Sequence, residues 1–214
     1  MTISTVFFDF GGVFTTSPFD AFSRYEAERG LPRDFIRRLN ATDPDVNAWA
    51  RLERNACSVD EFCAAFEAEA EAAGQRLSGR EVLALLAGEL RPEMVAALRR
   101  VRGRWKTACL TNNVAMGEGP AMMRSADKAA EIAAVMALFD AVIESSKAGV
   151  RKPDPAFYRL ACERLAVAPE EVVFLDDLGV NLKSARAMGM TTIKVASAAQ
   201  ALDELERILG VPLR

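Results

Sequence analysis

Three acidic residues sit at the ends of apolar runs. Asp9 interrupts "TVFFDFGGV" (5–13), and Asp176 and Asp177 close "EVVFLDD" (171–177). A carboxylate at the end of a buried strand is costly unless its charge is compensated. Two further segments carry groups suited to that task. "KTACLTNN" (106–113) ends in Thr111, Asn112 and Asn113, and "GVRKPDP" (149–155) carries Lys152. Neighbouring carboxylates repel and shift one another's pKa unless a cation joins them. A hard, oxygen-liganded ion such as Mg²⁺ suits such a cluster and keeps positions open for phosphate oxygens. Lys152 and Thr111 then hold an anionic ligand beside the acids. Gly11 and Gly12 let the backbone turn sharply after Asp9 and offer N–H groups to the anion. Taken singly, each residue has a plainer reading. Asp9 suits a strand-end cap, Asp176 and Asp177 helix caps, Thr111 to Asn113 a turn, and Lys152 a solvated surface. The set, in this order, is what points to chemistry.

The elements that must position these groups follow from short apolar runs bounded by polar residues. Such runs occur at 5–10, 106–113, 139–146, 171–177 and 191–197, as buried parallel strands do. Helical spacing occupies the intervals, at 92–101, 154–167 and 180–190, so the fold class is α/β: a Rossmann-like parallel sheet flanked by helices. In such sheets ligands bind outside the carboxyl ends of the strands, where all these polar groups fall. Residues 17–90 hold no convincing strand. They predict helices at 20–29, 32–40, 46–55, 58–74 and 79–88, with Ser58 and Glu61 spaced as a capping box. The chain therefore divides into an α/β core (1–16 and 91–214) and an inserted all-helical domain (17–90). The stretch 116–138 reads as a loop and helix whose methionines fill core or interface.

Composition excludes several alternatives. The 214 residues carry a net charge of −3, which favours neither nucleic acid nor an anionic membrane. No apolar run is long enough to span a bilayer, and no secretory leader is expected. Four dispersed cysteines without a CxxC pair suit free thiols in a reducing, cytoplasmic compartment. The chain has no histidine, which removes Ser-His and Cys-His nucleophile systems and histidine zinc sites.

The ordered motifs "DFGGV", "LTNN", "KPDPAFY" and "VVFLDDLGVNLKSARAMGM" resemble the haloacid dehalogenase-like (HAD) hydrolase superfamily. Within it, "FLDDLGVNLKSARAMGM", "ALDELERILGVPL" and "WARLERNACSVDEF" are similar to the N-terminal phosphatase domain of soluble epoxide hydrolase and its single-domain bacterial relatives. The resemblance implies a Mg²⁺-dependent phosphatase acting on a small phosphorylated metabolite, as monomer or homodimer. It implies Asp9 as the nucleophile that becomes an aspartyl-phosphate. Thr111, with Asn112 beside it, would bind the phosphoryl group, and Lys152 would neutralise charge. Mg²⁺ would be held by Asp9, Asp177 and the carbonyl of Gly11. Asp176 would lie close to the metal in support, and Asn181 would brace that loop. The 17–90 insert would be a mobile cap that excludes water and sets substrate choice. One position departs from the pattern. Gly11 stands two residues after Asp9, where most phosphatases of the superfamily carry a general acid-base aspartate. This keeps open a phospho-ligand-binding protein without turnover. A dehalogenase-type hydrolase, needing no metal, is a further alternative, against which the Asp176-Asp177 pair argues.

Overall fold

Thr5–Phe8 (β1) is buried at every residue, as the central strand of a parallel sheet must be. It pairs on one side with Lys106–Thr111 (β2) and on the other with Val172–Asp176 (β4). Ala141–Glu144 (β3) and Thr191–Lys194 (β5) form the edges, giving the order β3-β2-β1-β4-β5 with every pairing parallel. The computed structural model describes residues 2–113 and 126–214. The fold class is as expected.

The strands end earlier than their apolar runs suggest. The third strand stops at Glu144, where Ser145–Ala148 forms a short helical turn closed by Gly149 at φ 70°. Ser145 and Ser146 turn away from the ladder because their hydroxyls bond elsewhere: Ser145 Oγ donates to the Glu53 carbonyl at 2.7 Å, and Ser146 Oγ to Asn113 Oδ1 at 2.9 Å.

Side-chain alternation along the strands builds two cores. Val6, Phe8, Cys109, Val173 and Leu175 face one way; Phe7, Ala108, Leu110 and Phe174 face the other.

The helices, numbered in chain order, begin in the insert with Pro18–Glu28 (α1), Phe35–Ala41 (α2), Ala48–Glu53 (α3), Val59–Ala72 (α4) and Gly79–Ala84 (α5). Then follow Pro92–Val101 (α6), Ala126–Met136 (α7), the Ser145–Ala148 turn (α8), Pro155–Leu165 (α9), Gly179–Ala187 (α10) and Ala198–Leu209 (α11). Helices α6 and α11 cover the first face of the sheet, through Met94, Leu98, Leu202 and Leu205. Helices α9 and α10 cover the second, through Phe157, Tyr158, Leu182 and Ala185. The methionines of 116–123 lie outside the described residues.

Helices α1 to α5 surround a separate apolar cluster in which Trp49 packs edge-on to Phe62 at 5.4 Å between ring centroids. The capping box at the start of α4 forms: Ser58 Oγ accepts from Glu61 N at 3.2 Å and Glu61 Oε2 accepts from Ser58 N at 2.8 Å. The chain enters and leaves this helical segment side by side. Thr15 and Leu90 form an antiparallel bridge, flanked by Thr16 N donating to Glu89 O at 2.8 Å and Arg91 N to Phe14 O at 2.7 Å. The four cysteines are free thiols. Among the described residues no helix is long and apolar enough to cross a membrane.

Candidate active site

Register brings the acids together. Phe8 pairs with Leu175, so the next residues, Asp9 and Asp176, emerge side by side at the carboxyl edge of β1 and β4. One further Asp9 bond, N–H to the Leu175 carbonyl at 2.8 Å, fixes that placement. Asp9, Asp176 and Asp177 each offer an oxygen, and these oxygens lie within 4.8 Å of one another.

Lys152 reaches this cluster from the segment after β3. It is 1% exposed, and its Nζ lies 2.8 Å from Asp9 Oδ1 and 2.8 Å from Asp176 Oδ2. Asp176 is fully buried and saturated with donors. Its Oδ1 accepts from Leu178 N at 2.7 Å, and Asn181 Nδ2 reaches both oxygens at 3.1 and 3.0 Å. Tyr158 donates its hydroxyl to the Asn181 carbonyl at 2.9 Å and so ties α9 to the start of α10. Asp9 is arranged differently. Its Oδ1 takes Lys152 and the Phe10 N–H at 2.7 Å, while Oδ2 has no hydrogen-bond partner among the described residues. Thr111 ends β2 buried, and its hydroxyl makes no hydrogen bond among the described residues.

The electrostatics follow from this count. Three carboxylates face one ammonium, which leaves a net charge of −2 if all are ionised. Burial pushes the Asp9 carboxyl up to about 8, with Asp176 and Asp177 adding to the rise and Lys152 opposing it. Burial likewise raises Asp177 to about 6, reinforced by the charge of Asp176. Burial alone would lower Lys152, but the charges of Asp176 and Asp9 more than offset it and push its pKa up. The ammonium is thus the fixed charge of the site. Lys152→Met, of similar length, strands two buried carboxylates. Removing one partner of a buried ion pair costs ~3–5 kcal/mol, and urea unfolding measures that loss.

Gly12 answers for a close approach. Its φ is 72°, and a Cβ there would stand 2.2 Å from Asp177 Oδ2. Gly11 is different: a Cβ there meets nothing within 4 Å. Asn112 is not aimed at the carboxylates. It clamps the Lys152 backbone, accepting from its N–H at 2.9 Å and donating to its carbonyl at 3.0 Å.

Three further residues stand at this rim to which the sequence patterns assign no role, although Glu53 and Arg151 lie within the quoted segments. Glu53 of α3 and Arg151 form an ion pair beside Asn112 and Lys152, though 98 positions apart in the chain. Arg91 buries Nη1 without a hydrogen-bond partner among the described residues, and its charge lowers the pKa of Asp177 against the rise from burial. Their proximity arises only from folding.

The chain is similar to known proteins in sequence and in fold. The chain is 33% identical to mouse acyl-CoA dehydrogenase family member 10 over 97% of its own length and 19% of that protein's. It is 31% identical to mouse bifunctional epoxide hydrolase 2, over 98% of this chain and 39% of the relative. It thus spans about a fifth and two fifths of these relatives. Phosphatase MT3486 of Mycobacterium tuberculosis is 31% identical, with 98% of this chain and 95% of that one aligned. Among solved structures, a HAD-family enzyme of Bacteroides thetaiotaomicron, in complex with magnesium and inorganic phosphate, superposes with a TM-score of 0.56 at 16% identity, covering 90% and 93% of the two chains. The L-2-haloacid dehalogenase of Xanthobacter autotrophicus superposes with a TM-score of 0.60 at 22% identity, covering 100% and 85%. Residues 3–189 match the model for the haloacid dehalogenase-like hydrolases, and the chain belongs to that family.

Proposed function

We propose that the protein is a Mg²⁺-dependent phosphatase that cleaves a small phosphorylated metabolite through phosphorylation of Asp9. The observation that carries this reading is the imbalance of three clustered carboxylates against one buried ammonium. A divalent cation closes that deficit of two charges. Asp9, Asp177 and the Gly11 carbonyl would hold it, and when bound it supplies positive charge to the phosphoryl oxygens. Asp176 has its lone pairs engaged by Lys152, Asn181 and Leu178 N, which suits it to positioning Lys152. The phosphatase name of a relative aligned over nearly its whole length supports the reading. So does the magnesium and phosphate complex of a protein sharing the fold.

Within this scheme Lys152 holds Asp9 Oδ1, leaving Oδ2 to attack phosphorus; the ester P–O bond breaks, and the departing alkoxide takes its proton from water and leaves as the alcohol. Lys152 and the free Thr111 hydroxyl then stabilise charge on the transferring group. Water hydrolyses the resulting acyl phosphate and restores the carboxylate. Residues 1–16 and 91–214 form the catalytic core, and the 17–90 insert acts as the cap that closes over the substrate.

The test is phosphate release from a panel of small phosphate esters, with Mg²⁺ and with EDTA. Release that requires Mg²⁺ is expected. Absence of release across the panel would overturn the reading, and turnover of a 2-haloacid surviving EDTA would favour the dehalogenase chemistry instead.

Gly12→Ala follows as a probe of the Asp177 position. The added methyl group collides with the carboxylate and forces an unfavourable φ, so Asp177 must move. We expect Mg²⁺ affinity to fall at least tenfold by calorimetry, while Gly30→Ala, also at positive φ but in open space, leaves it unchanged.

A further inference from the structure

We infer that Glu53 of the insert, through Arg151 and Asn112, is a positioning residue for Lys152, so that the docked insert completes the site. The inference rests on the phosphatase reading for its kinetic consequence, but its structural content stands apart from it. Glu53 is buried and lies in α3, far from the sheet in sequence. Its Oε2 pairs with Arg151 Nη1, and Asn112 Nδ2 donates to the same oxygen at 3.4 Å. Its Oε1 accepts from Trp49 Nε1 at 3.1 Å, and its backbone carbonyl from Ser145 Oγ at 2.7 Å. Arg151 also donates to the carbonyl of Pro44, so one guanidinium grips the insert twice.

The contacts to Arg151 and Asn112 converge on one peptide. Arg151 immediately precedes Lys152. Asn112 holds both the N–H and the carbonyl of Lys152, at 2.9 and 3.0 Å. The ammonium they position must meet Asp9 and Asp176 at once, each at 2.8 Å. A displacement of about 1 Å at a reacting group costs on the order of a hundredfold in rate. Moving the insert away therefore loosens the backbone that aims Lys152.

Glu53 is also a cap carboxylate near a site that lacks a proton donor at Gly11. Burial raises the Glu53 pKa, with Arg151 and Trp49 opposing the rise, but both its oxygens already accept from Arg151, Asn112 or Trp49, so neither is left to reach a leaving group. It orders the lysine and does not protonate a leaving group.

Glu53→Gln keeps the size of the side chain and removes the ion pair. The variant and the wild type are compared with Mg²⁺ on p-nitrophenyl phosphate, a good leaving group, and glycerol phosphate, a poor one. Arg80→Ala, which breaks the exposed pair with Asp60, serves as the control. We expect kcat to fall about 10–100-fold on both esters, with KM nearly constant and the ratio between esters unchanged. The Lys152 amide should exchange hydrogen at least tenfold faster, since its acceptor is no longer fixed. A kcat within twofold of wild type, a loss confined to glycerol phosphate, or unchanged amide exchange would each overturn the inference. Arg151→Lys, which keeps the charge and loses the forked contact, must loosen the same amide and supplies that measurement if the glutamine variant does not fold. If the wild type cleaves neither ester, the phosphatase reading fails, and amide exchange still decides whether Glu53 orders Lys152.

Discussion

Asp9→Asn lowers phosphate release by roughly 10⁴–10⁶-fold, the scale on which loss of an attacking nucleophile is felt. The reason is chemical. A carboxamide retains the shape of the carboxylate, and its oxygen can still accept from the Phe10 N–H and from Lys152, which now hold Asp9 Oδ1. It cannot present the anionic oxygen that Oδ2, without a hydrogen-bond partner among the described residues, offers in the wild type. The fold is expected to persist, because the substitution also relieves the repulsion that helps raise the Asp9 carboxyl to about 8. Unchanged thermal unfolding together with lost turnover is therefore the expected pair of results. Residual activity within tenfold of wild type would mean that another group attacks phosphorus.

The second large effect is a gain. Gly11→Asp should raise turnover of alkyl phosphates by about 10²–10⁴-fold, the usual worth of a general acid-base group. The position can take it: a Cβ at Gly11 meets nothing within 4 Å. A carboxyl there supplies the proton donor for the leaving group that glycine lacks. Esters with good leaving groups need no such help, so p-nitrophenyl phosphate should gain little. The ratio of kcat/KM between glycerol phosphate and p-nitrophenyl phosphate is the readout. An equal change on both esters would show that leaving-group protonation does not limit the natural enzyme.

Much of the fold is legible in the chain because its strands are buried on both faces. Runs such as "TVFF" and "VVFL" are apolar without alternation, and only a central parallel strand tolerates that. The helices of the insert are marked by their own local chemistry, clearest at the capping box of Ser58 and Glu61. Strand ends are less visible. Residues 139–146 read as one run, yet Ser145 and Ser146 leave the ladder to bond Glu53 and Asn113, partners set by tertiary structure.

The site divides in the same way. Asp9, Thr111, Asp176 and Asp177 announce themselves because each is polar where an apolar run ends, whereas Lys152 lies further on, beyond the α8 turn. The sequence places Asn112 beside the phosphoryl site, and folding engages its side chain with the Lys152 backbone, a role that spacing does not reveal. Glu53, Arg91 and Arg151 are charged residues whose roles depend on tertiary structure, and Glu53 reaches Arg151 only because the insert docks on the core. That docking is sealed by the bridge between Thr15 and Leu90, which no spacing rule foretells.

Brief incubation with acetyl phosphate and Mg²⁺, acid quenching and mass spectrometry of the peptides tests the central claim most directly. One added phosphoryl group is expected on the peptide bearing Asp9, absent with EDTA and absent in Asp9→Asn. Phosphate release that proceeds with no adduct on that peptide, and survives Asp9→Asn, would contradict it.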